Sequence, residues 1–184
     1  MTFGEDHFGS INLFIGALFA TYAVFALALP AQLNRGMKAF PRHRPTGLLL
    51  TAIALVWSAM FVDQMSLGEL GKYKWLLYII TPVSYYLIIQ YLDDLLASRA
   101  LGGMLMLLPT MMVDSARWIP SPSRYVLIIT GYVMVIIGIW LVLSPFKFRI
   151  WAEAMAAHPA RRVLSGAIAA AVAVACIVIG LAHG

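Results

Sequence analysis

Charge is what this chain has least of. Only 11% of its 184 residues are Asp, Glu, Lys or Arg, and 62% are apolar. A soluble domain carries roughly 25% charged and 45–50% apolar residues. So few charges cannot cover a water-facing surface, and a mean hydropathy of +0.87 calls for lipid as the solvent. Acid is scarcer than base, with eight Asp and Glu against thirteen Lys and Arg. The cations cluster at the ends of apolar runs, which argues against a nucleic-acid partner and for a membrane surface.

Cysteine is nearly absent. Cys176, the only one, lies inside the last apolar run, so no internal disulfide and no Cys/His zinc pattern is available. Histidine is limited to His7, His43, His158 and His183, all at chain ends or between runs. None pairs at i, i+4 within a run, so haem held between helices is not supported. No Ser/His/Asp array, phosphate loop or nucleotide fingerprint is present. No acid or base falls in the middle of a run, where pumps and ion-coupled carriers keep one. No catalytic residue, metal ligand or cofactor is therefore assigned. Met104, Met106, Met111 and Met112 read as adaptable packing. Glu5 and Asp6 precede the first run, where a signal peptide needs a positive stretch, so that run reads as a retained span.

Six apolar runs are present. Five lie at about 11–29, 47–65, 75–96, 125–144 and 163–182, each near the roughly 20 residues that cross about 30 Å of hydrocarbon. The remaining one has only fourteen uncharged residues between Arg99 and Asp114, with Pro109 among them. As a helix it covers about 21 Å. Tyr73, Trp75, Trp118, Tyr125 and Trp151 fall at run ends, where amphipathic rings prefer to sit.

Two basic elbows orient the runs. Segment 33–46 holds Arg35, Lys38, Arg42 and Arg44 and no acid; segment 147–162 holds Lys147, Arg149, Arg161 and Arg162 against Glu153 alone. Cation-rich short loops stay on the cytoplasmic side. Both elbows share a side only if the short fourth run crosses, which favours a full crossing with both termini outside. Each elbow is bracketed by prolines, Pro30 and Pro41 in one, Pro145 and Pro159 in the other, which end helices for want of an N–H. Each carries an apolar stripe at helical spacing: Leu33, Met37 and Phe40, then Phe148, Trp151 and Met155. Such segments are expected along the headgroup boundary, with Lys38, Lys147 and Arg149 meeting phosphates.

The expectation is an all-α polytopic transmembrane helix bundle. About six spans form three hairpins (11–65, 75–116 and 125–182) with short interfacial helices, in one integral-membrane domain over 1–184. The first and last hairpins read as parallel repeats, and Arg99-Ala100-Leu101-Gly102-Gly103 as a degenerate third copy of Arg162-Val163-Leu164-Ser165-Gly166. Inverted repeats are the commoner transporter design. Small residues should form the seams: Gly131 and Gly138, Gly166 and Ala170, Ala169 and Ala173.

The last hairpin, 138–180, carries Ser144-Pro145, the Phe148/Trp151/Met155 stripe, Pro159, Arg161-Arg162 and Gly166. In these features it resembles a family of small two-span bacterial inner-membrane proteins of uncharacterised function. The likeness covers roughly a quarter of the chain. It implies hairpin topology and a bacterial inner membrane, and it implies no catalytic residue.

Charges near run ends need partners or water. Asp63 is expected to meet Arg117 or Arg124. Asp114 and Arg117 share a helical face at i, i+3. Asp93 and Asp94 are expected to meet Arg99 or an elbow arginine. The third run is the most polar, and Tyr78, Pro82, Tyr85 and Gln90 suggest a crevice there for a lipid or quinone. Arg42, Arg44, Arg161, Arg162, Lys147 and Arg149 are the candidate contacts to headgroups or a partner. Small size, short loops and uncharged run centres point first to a non-catalytic accessory, assembly or scaffold subunit, with the bilayer, other membrane subunits or a second copy as partners. A lipid or small-molecule binder or transporter comes next. An enzyme using Asp93, Asp94 and Arg99 at the cytoplasmic face comes last.

Overall fold

Proline opens the helices at both elbows. In the computed structural model, which describes residues 7–66, 68–91 and 95–183, Pro30, Pro45 and Pro159 each stand in the first turn of a helix. A first-turn N–H has no helical acceptor, so proline loses no hydrogen bond there and its fixed φ favours the helix. The order is α1 (Phe8–Leu27), α2 (Pro30–Ala39), a 3-10 turn (Phe40–Arg42), α3 (Arg44–Gln64), a 3-10 stretch (Gly68–Leu76), α4 (Leu77–Tyr91), α5 (Leu96–Ala116), α6 (Arg124–Leu143), α7 (Phe146–Ala157) and α8 (Pro159–Ala182). No strand occurs among the described residues, so the fold is an all-α helix bundle. The elbows are the short helices α2 and α7.

Five helices, α1, α3, α5, α6 and α8, are long and apolar enough to cross a membrane. The fourth run is one of them. Arg99 and Asp114 lie within the 21 residues of α5 and do not bound it, as charged side chains near a span end can reach out of the hydrocarbon. Pro109 is buried inside α5 against Gly131 of α6, so close packing holds the helix where its ladder is broken. The run that falls short is the third. Its helix α4 has 15 residues, about 22 Å, and follows the 3-10 stretch.

The helices alternate in direction. Gly47 at the start of α3 lies against Ala97 at the start of α5, and Gln64 at the end of α3 and Arg117 just past the end of α5 line one pocket, so α3 and α5 run parallel. Gly16 of α1 lies against Ile177 of α8, and Gly166 against Leu27, so α1 and α8 run antiparallel. The Phe8 and His183 rings meet edge to face at 5.4 Å, and Ser123 Oγ is 3.3 Å from His183 Nε2. Residues near both termini and the α5–α6 loop therefore share one end of the bundle, and both elbows lie at the other.

The tightest seams join α1 to α8 and α5 to α6, followed by α3 to α5. Connection in the chain and packing in space thus differ: α1 is wired to α3 through the first elbow, but its long partner is α8. Small residues explain the choice. A Cβ on Gly102 would stand 2.8 Å from the Gly138 carbonyl, and one on Gly138 2.7 Å from the Gly102 carbonyl, so these backbones touch only because both lack one. On α8, Gly166, Ala169 and Ala173 are buried and Ala170 is half-buried, as the expected seam requires. Phe8, Ile15, Met112, Leu127 and Cys176 close the core where α1, α5, α6 and α8 meet.

Candidate functional site

The two elbows pack on each other. Leu33 and Met37 of α2 form one cluster with Trp151, Ala152 and Met155 of α7, and the Phe40 and Phe148 rings stand 5.7 Å apart. These are the two stripes read from the sequence. Their apolar faces turn towards each other, because two such faces at one end of a bundle remove more apolar surface together than apart. The cations are left around the outside. Arg35 and Lys38 on α2 and Arg149 on α7 are exposed, and Arg149 pairs with Glu153 at 3.5 Å. Arg42 closes the 3-10 turn. Arg44 is exposed in the first turn of α3, and Arg161 in that of α8. Arg162 is half-buried, and its Nε is sealed off with no hydrogen-bond partner. Lys147 is half-buried too; its ammonium sits 5.4 Å from the centre of the Trp140 ring, a cation–π contact.

Beneath the paired elbows lies a cleft of about 1290 Å³, larger than the roughly 300–1,000 Å³ of ordinary ligand sites. Its walls come from α1 (Phe14, Tyr22, Phe25), α2 (Gln32, Gly36), α3 (Trp57), α5 (Met104, Leu108, Met112), α6 (Met134, Trp140) and α7 (Phe148, Trp151). It extends from Ser10, at the end shared by the termini, to Gln32 at the elbows. The wall is almost wholly apolar. Tyr22, one of its few polar side chains, has its hydroxyl 3.1 Å from Ser165 Oγ of α8, which donates to the Arg162 carbonyl at 2.9 Å. The polar end of Tyr22 is thereby satisfied outside the cleft.

The third run does not line this cleft. No residue of α4 is buried. Tyr78, Pro82 and Gln90 are exposed, and Gln90 donates to the Tyr86 hydroxyl at 3.1 Å. Tyr85 turns to α3 and donates to the Leu48 carbonyl at 3.4 Å. The structure does not bring these four side chains together, because α4 packs at the edge of the bundle, on α3 and its own 3-10 stretch. Polarity in one run drew attention to α4. The cleft is made instead of Phe, Met and Trp from six helices, and such residues look alike whether they fill a core or line a void. Met104, Met111 and Met112, read as packing, lie in its wall; thioether flexibility suits either place.

The end-of-run charges fall into three groups. Asp114 and Arg117 line one pocket of about 470 Å³ together with Gln64 and Thr110, as their shared helical face requires. Asp63 is exposed, and its carbonyl accepts the Lys74 ammonium. Arg124, one of its expected partners, donates instead to the Ile119 carbonyl and the Tyr125 hydroxyl, both at 3.2 Å. Arg99 is half-buried in the first turn of α5, while Asp93 and Asp94 lie outside the described residues. Among the described residues no three His, Cys, Asp or Glu gather as a metal site would require.

No protein-family model, no curated protein and no solved structure matches this chain, so the likeness of its last hairpin to two-span inner-membrane proteins rests on those residues alone.

Proposed function

We propose that this multi-pass membrane protein binds a hydrophobic or amphipathic small molecule in the cleft beneath its paired elbows. The observation that carries this reading is the cleft itself, an apolar space of about 1290 Å³ among helices that otherwise pack on glycine. Helices in lipid gain from dispersion contacts and close approach, and an apolar wall of this extent gains the same contacts from a hydrophobic molecule seated against it. The placement of Arg44, Arg161, Arg162, Lys147 and Arg149 at the elbow end supports an orientation with the elbows cytoplasmic.

Gly36 supplies the test. It lines the cleft, and a Cβ added to it would meet nothing within 4 Å. Gly36→Phe should therefore place a ring in the cleft without moving the backbone. Native mass spectrometry of protein extracted in mild detergent should show a co-purifying lipophilic molecule, and Gly36→Phe should lose it. An unmodified protein that carries no such molecule, and takes up none when offered lipid extract, refutes the reading.

A second reading, the accessory or scaffold subunit, draws on α4. A helix with no buried residue, with Tyr78 76% exposed and Tyr91 81% exposed, offers a flank for a partner helix. Cross-linking from a photoreactive group at residue 78 should capture a membrane protein in native membranes; capture of lipid alone counts against this reading.

A further inference from the structure

Apart from the cleft, a groove on the flank of the bundle is lined by charges of both signs at one end and by apolar side chains at the other. We propose that it seats one phospholipid of the leaflet at the termini end, with a zwitterionic head that carries a primary ammonium, and that Asp114 and Arg117 select that head. The groove is the pocket of about 470 Å³, within the roughly 300–1,000 Å³ of ordinary ligand sites. One face of α5 forms its floor. Met106, Pro109, Thr110, Val113, Asp114 and Arg117 recur at i, i+3, i+4, i+7, i+8 and i+11, the spacing of a single helical stripe. Gln64 of α3 and Val135 of α6 flank it. Counting equally along the parallel helices from the Gly47–Ala97 contact brings Gln64 level with Asp114, so the polar groups gather at the helix end. Met106, the middle residue of α5, stands at the apolar end.

Length and exposure argue for a lipid. From Met106 to Arg117 the floor runs about 16 Å at 1.5 Å per residue, and one leaflet supplies about 15 Å of hydrocarbon, half of roughly 30 Å. Met106, at half the height of α5, is 39% exposed, and Thr110 is exposed too. The groove therefore opens sideways, where a membrane protein meets hydrocarbon, and a free polar solute would lose hydration on entering its apolar half. An acyl chain along Met106, Pro109 and Val113 places its head beside Asp114 and Arg117. Charge then selects among heads. Side chains three apart on a helix have Cβ atoms about 5–6 Å apart, and in phosphoethanolamine two carbons join the phosphate to the ammonium, so one head reaches both groups. Arg117 donates to the phosphate in charge-assisted hydrogen bonds. The Asp114 carboxylate, which accepts and does not donate, takes the ammonium N–H groups. A glycerol head brings an anion up to Asp114 with no cation to offset it. A choline head carries the cation but has no N–H to donate.

The test offers the purified full chain three dioleoyl lipids in equal amounts, with phosphatidylethanolamine, phosphatidylcholine or phosphatidylglycerol heads, and reads retention by native mass spectrometry. Phosphatidylethanolamine should be retained over both others, about fivefold over phosphatidylglycerol. Asp114→Asn should erase that advantage, and Arg117→Gln should lower retention of all three. Arg117 is exposed just past the end of α5, so Arg117→Gln keeps the test open even if Asp114→Asn fails to fold. Thr110→Trp, at an exposed position in the floor, should displace the lipid whatever its head. Gly36→Phe, which fills the separate cleft, should leave the preference unchanged, so the two sites stand or fall apart. Equal retention of phosphatidylglycerol by the unmodified chain overturns the proposal. Equal retention of phosphatidylcholine overturns the donated N–H. A preference that survives both Arg117→Gln and Thr110→Trp overturns the assignment to this groove.

Discussion

The two helix pairs and the space between them are built on opposite principles. Within α5–α6, Gly102 and Gly138 bring backbone to backbone, with no room for a methyl group. Within α1–α8, a Cβ on Gly16 would meet Ile177 at 2.7 Å. Between the pairs the residues are large: Phe14, Phe25, Trp57, Trp140, Trp151. Small residues draw helices together in lipid because close backbones gain dispersion and leave no gap. Large rings line the space where the pairs do not close on each other. The same bundle therefore contains sealed seams and one open cleft, and side-chain size separates them.

Substitutions can break that contrast, beginning with the seams. Gly138→Leu forces a side chain into the Gly102 carbonyl and Met106, and should destabilise the bundle by about 3 kcal/mol or more. Thermal unfolding in detergent would show it as a large fall in midpoint; an unchanged midpoint would mean that the α5–α6 seam is looser than described. Next comes Phe148→Ala, which removes the ring joining Phe40 to Trp151. Phe148 is 8% exposed, so about 2–3 kcal/mol should be lost, at or below the usual range for a buried ring because the elbows lie at the edge of the bundle. Its cleft should also lose any bound molecule faster, measurable as a raised dissociation rate. The smallest change in stability belongs to Gly36→Phe, where the space is already open. Helix propensity alone should raise stability by up to about 0.5 kcal/mol, while ligand retention falls. Opposite signs at Gly138 and Gly36, for two glycines made larger, would be the sharpest evidence that one faces a seam and the other a cleft. A midpoint that falls equally for both would erase the distinction.

Local features were legible in the chain and distant pairings were not. The stripes Leu33, Met37, Phe40 and Phe148, Trp151, Met155 were readable because helical spacing places them on one face whatever surrounds them. That they would clasp each other depended on both elbows reaching one end, which the cation counts implied, and on α2 and α7 being adjacent there, which nothing in the sequence said. The fourth run was misjudged at its ends because Arg99 and Asp114 were taken as limits, although a helix in lipid can carry charges in its terminal turns. The third run was overrated as a crevice because Tyr78, Pro82, Tyr85 and Gln90 are polar, whereas at the edge of the bundle polarity does not require a cavity.

Sequence alone determined that the chain is an all-α membrane protein and that its cations gather in two elbows. Scarce charge and helical spacing act within a segment and need no partner to take effect. Tertiary structure decided which helices touch, that the elbows close on each other, and where the cleft opens. In a medium as apolar as the side chains, burial no longer distinguishes one face of a helix from another. Partner choice then falls to the fit of small residues against distant backbone, and a cleft is the place where no such fit was made.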